Sequence, residues 1–226
     1  MNHILKQNAV PQELIQIATL RFKSTIQHGG ELPSSFHHVC RNLHAVPGVA
    51  SSYLGEQLER PGTWTWIIRW ASPAAHDAYL ASPSFTSWIS SFRAIVESYI
   101  FWKAHVRGSL SAALNAPCTE VFTAYGTSDT FLEMRMKPFA AGVDAESPPG
   151  YHGSFYGQFD VLMHDLPAPK AAEGGNTVSV IMGWDSKEAH LTEKAEGKVI
   201  NSHIHHVRED RKSTDMYHVN LHRLGT

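Results

Sequence analysis

Trp70-Ala71-Ser72-Pro73-Ala74-Ala75-His76 and Trp184-Asp185-Ser186-Lys187-Glu188-Ala189-His190 are two occurrences of one pattern, Trp-x-Ser-x-x-Ala-His. A repeat of this kind decides the fold before any local reading does. Upstream, Tyr53-Leu54-Gly55-Glu56-Gln57 precedes the first copy and Phe155-Tyr156-Gly157-Gln158-Phe159 the second. Gly55 lies 15 residues before Trp70, and Gly157 lies 27 before Trp184. The extra residues fall in Met163 to Asn176, where Pro167, Pro169, Gly174 and Gly175 mark an inserted loop. Downstream, His105 follows Trp70 by 35 residues and His218 follows Trp184 by 34, so the register holds to within one. The duplication covers almost the whole chain and predicts two units, 12–108 and 117–224.

Local patterns predict the same element order in each unit. Leu14 to Lys23 and Cys118 to Tyr125 read as strands. Ser34 or Ser35 can cap a helix that places Phe36, Val39, Cys40 and Leu43 on one face, with Pro47-Gly48 beyond its end. Val49 to Leu58 is a strand, Pro61-Gly62 a turn, and Trp64, Trp66, Ile68 and Trp70 alternate along the next strand, as Val178, Val180, Met182 and Trp184 do in the copy. A helical stretch broken at Ser82-Pro83 follows, with a counterpart from about Lys187 to Glu209. Tyr99 to Val106 and Met216 to His222 close the units. Asp129 to Ala141 is the irregular counterpart of the first helix, interrupted at Pro138, and Ser109 to Pro117 connects the halves. The order β-α-β-β-α-β is the ferredoxin-like split unit, so the fold class is α+β.

Composition excludes several functions. The 226 residues are 42% hydrophobic and 10% aromatic, enough for a large core, and only 18% charged. Lys and Arg total 19 against 21 Asp and Glu and are scattered, which argues against a nucleic-acid partner. The apolar runs Trp66 to Trp70 and Tyr99 to Trp102 are too short to span a bilayer, so no membrane partner is expected. Met1 to Gln16 carries Lys6, Gln7, Asn8 and Pro11 where a secretory signal needs apolar residues, and an intracellular, cytoplasmic location is expected. Cys40 and Cys118 have no metal-type spacing. Histidine is abundant, at 15 residues, and titrates near neutral pH. No Gly-rich phosphate loop, Gly-x-Ser-x-Gly elbow or paired-Cys redox motif occurs. No cofactor or metal is therefore expected.

The Trp-x-Ser-x-x-Ala-His motif after a two-strand hairpin resembles the dimeric α+β barrel superfamily, in its branch of antibiotic-biosynthesis monooxygenase-like domains. The tandem form resembles a group of fungal proteins. The resemblance implies two ferredoxin-like units packed sheet to sheet as an intramolecular barrel. The chain would then be a monomeric pseudo-dimer, with a homodimer as the alternative. Superfamily members include cofactor-independent oxygenases, heme-degrading enzymes, lactone isomerases and polyketide cyclases, and their ligands sit between a unit's sheet and its helices. Plant polyketide cyclases carry a His at the position of Phe85, so their base does not transfer. The Asn and His of heme-degrading members are not both found.

The resemblance and the aromatic, His-rich composition together predict a cofactor-independent enzyme of specialised metabolism acting on an apolar polyketide- or terpenoid-like small molecule. Cyclisation, isomerisation or elimination would proceed by His-assisted proton transfer or by shape catalysis of a pericyclic step. A cofactor-free monooxygenase of a phenolic substrate and a non-catalytic binding protein are the alternatives. The polar candidates in the first half are His76, His37, Tyr53, Lys103 and His105, with Trp64, Trp66, Phe85, Trp88 and Phe101 as an apolar wall. The alternative is a site in the second half, with His190, Tyr156 and His218 and the inserted loop as its lid. Each of these residues also has a structural reading. His76 and His190 can fix a strand-to-helix turn, the tyrosines can simply pack, and Trp70 and Trp184 belong to the core. His203, His205 and His206 precede a charged run and read as a solvated helix end.

Overall fold

The computed structural model describes residues 13–25, 32–165 and 174–225. The reading of Met1 to Gln16 therefore falls mainly outside the described residues, as does much of the Met163 to Asn176 insertion. The first unit consists of β1 (Glu13–Phe22), α1 (Ser34–His44), β2 (Val49–Glu56), β3 (Trp64–Trp70), α2 (Pro73–Leu80), α3 (Pro83–Ile95) and β4 (Val96–Gly108). Helix α4 (Leu110–Leu114) leads into β5 (Cys118–Thr127). A π-helical turn (Leu132–Met136) then runs into α5 (Lys137–Glu146), followed by β6 (Tyr151–His164), β7 (Asn176–Trp184), α6 (Lys187–Glu193) and α7 (Val199–His203). A 3₁₀ turn (Ile204–Val207), β8 (Ser213–Val219) and β9 (His222–Leu224) complete the chain.

The strands form one nine-stranded antiparallel sheet in the order β8-β5-β7-β6-β4-β1-β3-β2-β9. The units exchange edges. The last strand of the first, β4, pairs with β6 of the second from Ile100↔His164 to Gly108↔Phe155. In return the 213–224 segment pairs with β5 through β8 and with β2 through β9, and a bridge between Gln57 and Val219 lies at the crossover. The sheet thus curls until its ends meet, which leaves no long edge unpaired.

Alternation along each strand then separates two environments. Ile15, Ile17, Tyr53, Ile67, Trp102, Ala104, Val106, Val121, Phe155, Phe159, Ile181 and Tyr217 fill the space enclosed by the sheet. The opposite face meets the helices of each unit, in one cluster around Trp66 and another around Val180.

The repeated motif acts as a helix start. Ser72 Oγ and Ser186 Oγ each accept the backbone N–H three residues on, from Ala75 and Ala189, at 3.1 Å. The next residue, His76 or His190, lays its ring 5.1 or 5.3 Å from that of the motif tryptophan. Alanine before the histidine keeps the helix close to the preceding turn, since Gly48 has φ +97° and a Cβ there would stand 2.4 Å from that of Ala75.

Three local expectations are corrected. Neither Ser34 nor Ser35 caps α1; Pro33 is the cap, and its carbonyl accepts the Phe36 N–H. The stretch from Lys187 to Glu209, expected as the counterpart of the broken helical stretch at Ser82-Pro83, is shorter in its helices, with α6 separated from α7 and the 3₁₀ turn where Gly197 takes φ +76°. The final strand of the second unit starts at Ser213 and is split, because it changes partners from β5 to β2. The irregularity at Asp129 to Ala141 is the π-helical turn. Pro138 follows that turn directly, at the point where the helix passes from the π-helical to the α-helical bonding pattern.

Candidate active site

A cavity of about 280 Å³ lies between the sheet and the helices of the second unit. Its middle is apolar, formed by Phe122, Phe139, Ile200, Ile204, Val207 and Met216, while His190 is polar and Glu120, Lys194, Arg208 and Arg211 are ionisable groups at its ends. The equivalent space in the first unit is filled by rings. Trp66 stacks at 6.1 Å on Phe92, which stacks at 5.4 Å on Trp88, and Phe36 and Phe101 pack edge-on against Trp66.

Strand pairing explains the difference between the units. Leu14 faces Trp70 as Cys118 faces Trp184, and Gln16 faces Lys103 as Glu120 faces His218. In that register Trp66 corresponds to Val180 and Phe101 to Met216. The second copy thus has smaller side chains where the first has rings, and the space opens.

Glu120 and His190 at the polar end of the cavity continue into a line of polar groups drawn from both units, buried except for Glu59. The β2–β3 turn of the first unit places Glu59 against β8. There Glu59 accepts the backbone N–H of His218 at 2.8 Å and bonds its Nδ1 at 2.7 Å, and it pairs with Lys187 at 2.8 Å. His218 Nε2 lies 2.8 Å from His190 Nδ1. His190 Nε2 lies 3.3 Å from Glu120 Oε2, which also accepts Trp184 Nε1–H at 3.2 Å. His218, His190 and Glu120 are all buried.

Environment sets the protonation of each group. Burial would raise Glu59, but the His218 N–H, Lys187 and the His218 ring outweigh it and hold the carboxyl at about 2. Desolvation pushes Glu120 up to about 7, against the opposing pull of His218, Trp184 and Lys194. Desolvation, reinforced by His218 and Lys194, drives His190 down to about 3. Ionised Glu59 requires a proton on His218 Nδ1. With His218 neutral, its Nε2 accepts from His190 Nδ1–H, and His190 Nε2 faces a protonated Glu120. His190, kept neutral by burial, thus stands between Glu120 and His218.

The first unit keeps the frame of this arrangement without the acid. Gln16 takes the place of Glu120 and accepts Trp70 Nε1–H at 2.8 Å. His76 occupies the place of His190 but bonds the neighbouring Asp77 at 3.0 Å, and its Nε2 has no partner among the described residues. Burial lowers its pKa, partly offset by Asp77. An amide cannot gain or lose a proton near neutral pH, so the first copy holds the tryptophan and does no acid–base chemistry at that position.

The remaining sequence candidates are dispersed. His37 is exposed on α1. Tyr53 lies inside the barrel while Tyr156 lies on the helix side, because Tyr53 precedes its repeat glycine by two residues and Tyr156 by one. Lys103 and His105 project from the outer face of β4 into a polar hollow of about 360 Å³, together with Arg107, Tyr156, Gln158 and Asp160. Trp64, Trp66, Trp88 and Phe101 are buried in the ring cluster, and half-buried Phe85 packs on Tyr79 and Trp88.

Glu59, Glu120 and Lys194 were not singled out from the sequence. The signal for Glu120 was a carboxylate in an apolar strand at the position of Gln16. Among the described residues no group of three His, Cys, Asp or Glu converges to hold a metal ion, and His203 bonds Glu146 at 2.7 Å. No helix is long and apolar enough to cross a membrane.

Residues 15–91 match the family model described as antibiotic biosynthesis monooxygenase. No curated protein matches the chain in sequence. Among solved structures, a protein provisionally described as a monooxygenase from Lactobacillus acidophilus NCFM is similar at a TM-score of 0.60 and 14% identity over 94% of each chain. An anthrone oxidase-like protein is similar at 0.61 and 14%, over 95% of this chain and 94% of its own. A protein from Fusobacterium nucleatum, also provisionally described as a monooxygenase, reaches 0.61 at 10% identity over 94% of each chain. These likenesses extend over both units and concern the fold. Residues 15–91, within the first unit, are thus similar to the antibiotic biosynthesis monooxygenase family model, and the two units together share the α+β fold of these structures.

Proposed function

We propose that the second unit holds the working site, and that it removes a proton from an activated carbon of a largely apolar small molecule without a cofactor. The single observation that carries this reading is the line from Glu59 at the surface through buried His218 and His190 to buried Glu120, ending at an apolar cavity. A carboxyl with a pKa of about 7 is divided between its two forms at neutral pH, as a general acid–base group should be. Ionised Glu120 takes the proton from a carbon next to a carbonyl, and the Lys194 ammonium in the cavity lining stabilises the enolate oxygen. The proton then leaves the site or returns to a different substrate atom. Return elsewhere is isomerisation, expulsion of hydroxide as water is elimination, and attack of the carbanion on an internal carbonyl is cyclisation. The expected substrate is polyketide- or terpenoid-like, since six apolar side chains form the body of the cavity.

Cofactor-free oxygenation is the second reading, favoured by the family match. It begins with the same deprotonation. The carbanion gives electrons to O₂, and a CH₂ group becomes a carbonyl with release of water, so that one oxygen is gained and two hydrogens are lost. Anthrone, whose CH₂ is acidic and flanked by rings, tests both readings. The enzyme should speed exchange of that CH₂ with deuterium oxide, and Glu120→Gln should abolish the acceleration. Exchange no faster than in buffer would overturn the proton-abstraction reading. Product mass under air separates the outcomes, since conversion to anthraquinone supports oxygenation and an unchanged mass supports the non-oxidative reactions.

A further inference from the structure

We propose that Arg208 and Arg211 form an anion subsite at the far end of the cavity, and that the substrate is an apolar molecule bearing a carboxylate remote from its reacting carbon. This inference rests on the second-unit cavity being the substrate site, and it adds the class of molecule that fits. Both arginines line the cavity. Register fixes which end they occupy: Glu120 pairs with His218, Phe122 with Met216 and Ala124 with Thr214, and the Lys212 N–H bonds Tyr125. Four residues of β5 separate the level of Glu120 from that of Ala124, about 13 Å in an extended strand. The apolar span of Phe122, Met216, Ile204 and Val207 lies between the two ends.

Neither guanidinium has a carboxylate partner among the described residues. The nearby acids Glu209 and Asp210 are both taken by Arg135, at 3.1 and 2.7 Å. Arg211 donates its Nε–H to the Val207 carbonyl at 2.5 Å, which fixes the plane of the guanidinium and leaves both terminal nitrogens without a hydrogen-bond partner among the described residues. Burial lowers the pKa of Arg211, and repulsion from Arg208 adds to this. Two like charges three positions apart, one of them half-buried, disfavour each other until an anion sits between them. A carboxylate fits this position because a guanidinium binds it through two parallel hydrogen bonds. The opposite end has no such vacancy for an anion, since Glu120 and Glu59 already supply negative charge there.

Fluorescence titration with anthracene-2-carboxylate and its methyl ester tests the subsite without turnover. The wild-type chain should bind the acid at least about tenfold more tightly than the ester, as one charge-assisted bidentate contact provides. Arg208→Gln should reduce that preference and R208Q/R211Q should remove it, with ester affinity and near-ultraviolet circular dichroism unchanged. Equal binding of acid and ester, a preference that survives the double substitution, a preference lost instead with Lys194→Gln, or binding of neither probe would each overturn the proposal. Glu120→Gln should keep the preference while losing deuterium exchange, so failure of the subsite and failure of the proton-abstraction reading are distinguishable.

Discussion

Glu120→Gln separates the cost of the buried carboxyl from its use, and the protein contains its own control. Gln16 in the first unit shows that an amide at this position accepts the motif tryptophan's N–H at 2.8 Å without disturbing the strand. The substitution should therefore leave the fold intact. In the wild type, burial raises Glu120 from 4.5 to about 7, so the folded state binds this proton more tightly than the unfolded state. The associated stability is fully present below pH 4.5 and is lost as the pH rises through 7. A shift of this size corresponds to about 3 kcal/mol at alkaline pH. Glutamine has no such dependence. Urea unfolding should find the two proteins within about 1 kcal/mol of each other near pH 4.5, the scale of one hydrogen bond, and the variant more stable by up to about 3 kcal/mol at pH 8.5. Turnover should fall by about a hundredfold to ten-thousandfold, the usual contribution of a general base. A stability difference that does not change between the two pH values, or a variant that retains exchange activity, refutes the reasoning.

Three further outcomes follow from the same geometry. His190→Asn should abolish turnover while His76→Asn leaves it intact. Because His190 is held at about 3, below its unfolded value of 6.5, its contribution to stability is present above pH 6.5 and is lost as the pH falls, so H190N should resist acid unfolding better than the wild type. Glu59→Gln removes the anion that fixes the His218 tautomer; kcat should fall by about tenfold to a hundredfold with little change in KM, and the pH–rate profile should move. Met216→Phe restores the ring that the first unit carries as Phe101; it should close the cavity and block binding of anthracene-2-carboxylate in a titration, with unfolding shifted by no more than about 1–3 kcal/mol.

The sequence by itself determined the architecture, because the relevant signals are local and repeated. Alternation of Trp64, Trp66, Ile68 and Trp70, matched by Val178 to Trp184, assigns a strand without knowledge of its neighbours, and Ser72 and Ser186 cap helices through bonds only three residues long. Duplication of a unit that cannot bury its own sheet then implies that the two copies cover each other. The loss of large rings from the second copy could also be read from aligned strands, and so could the exchange of Gln16 for Glu120. Their consequence could not. Whether a small residue leaves a cavity depends on which helix packs above it, and the Lys187 to Glu209 region breaks into pieces whose placement no periodicity specifies. The sides of Tyr53 and Tyr156 turned on a one-residue offset from a glycine, which shifts a side chain to the opposite face of a strand. Glu59 reaches His218 across 159 positions of sequence and from the other unit, a contact that exists only because the sheet closes on itself. The protonation of Glu120 is likewise tertiary. A carboxyl is displaced upward by the water it loses on burial, and that loss is a property of the assembled barrel and its helices, not of the strand that carries the residue.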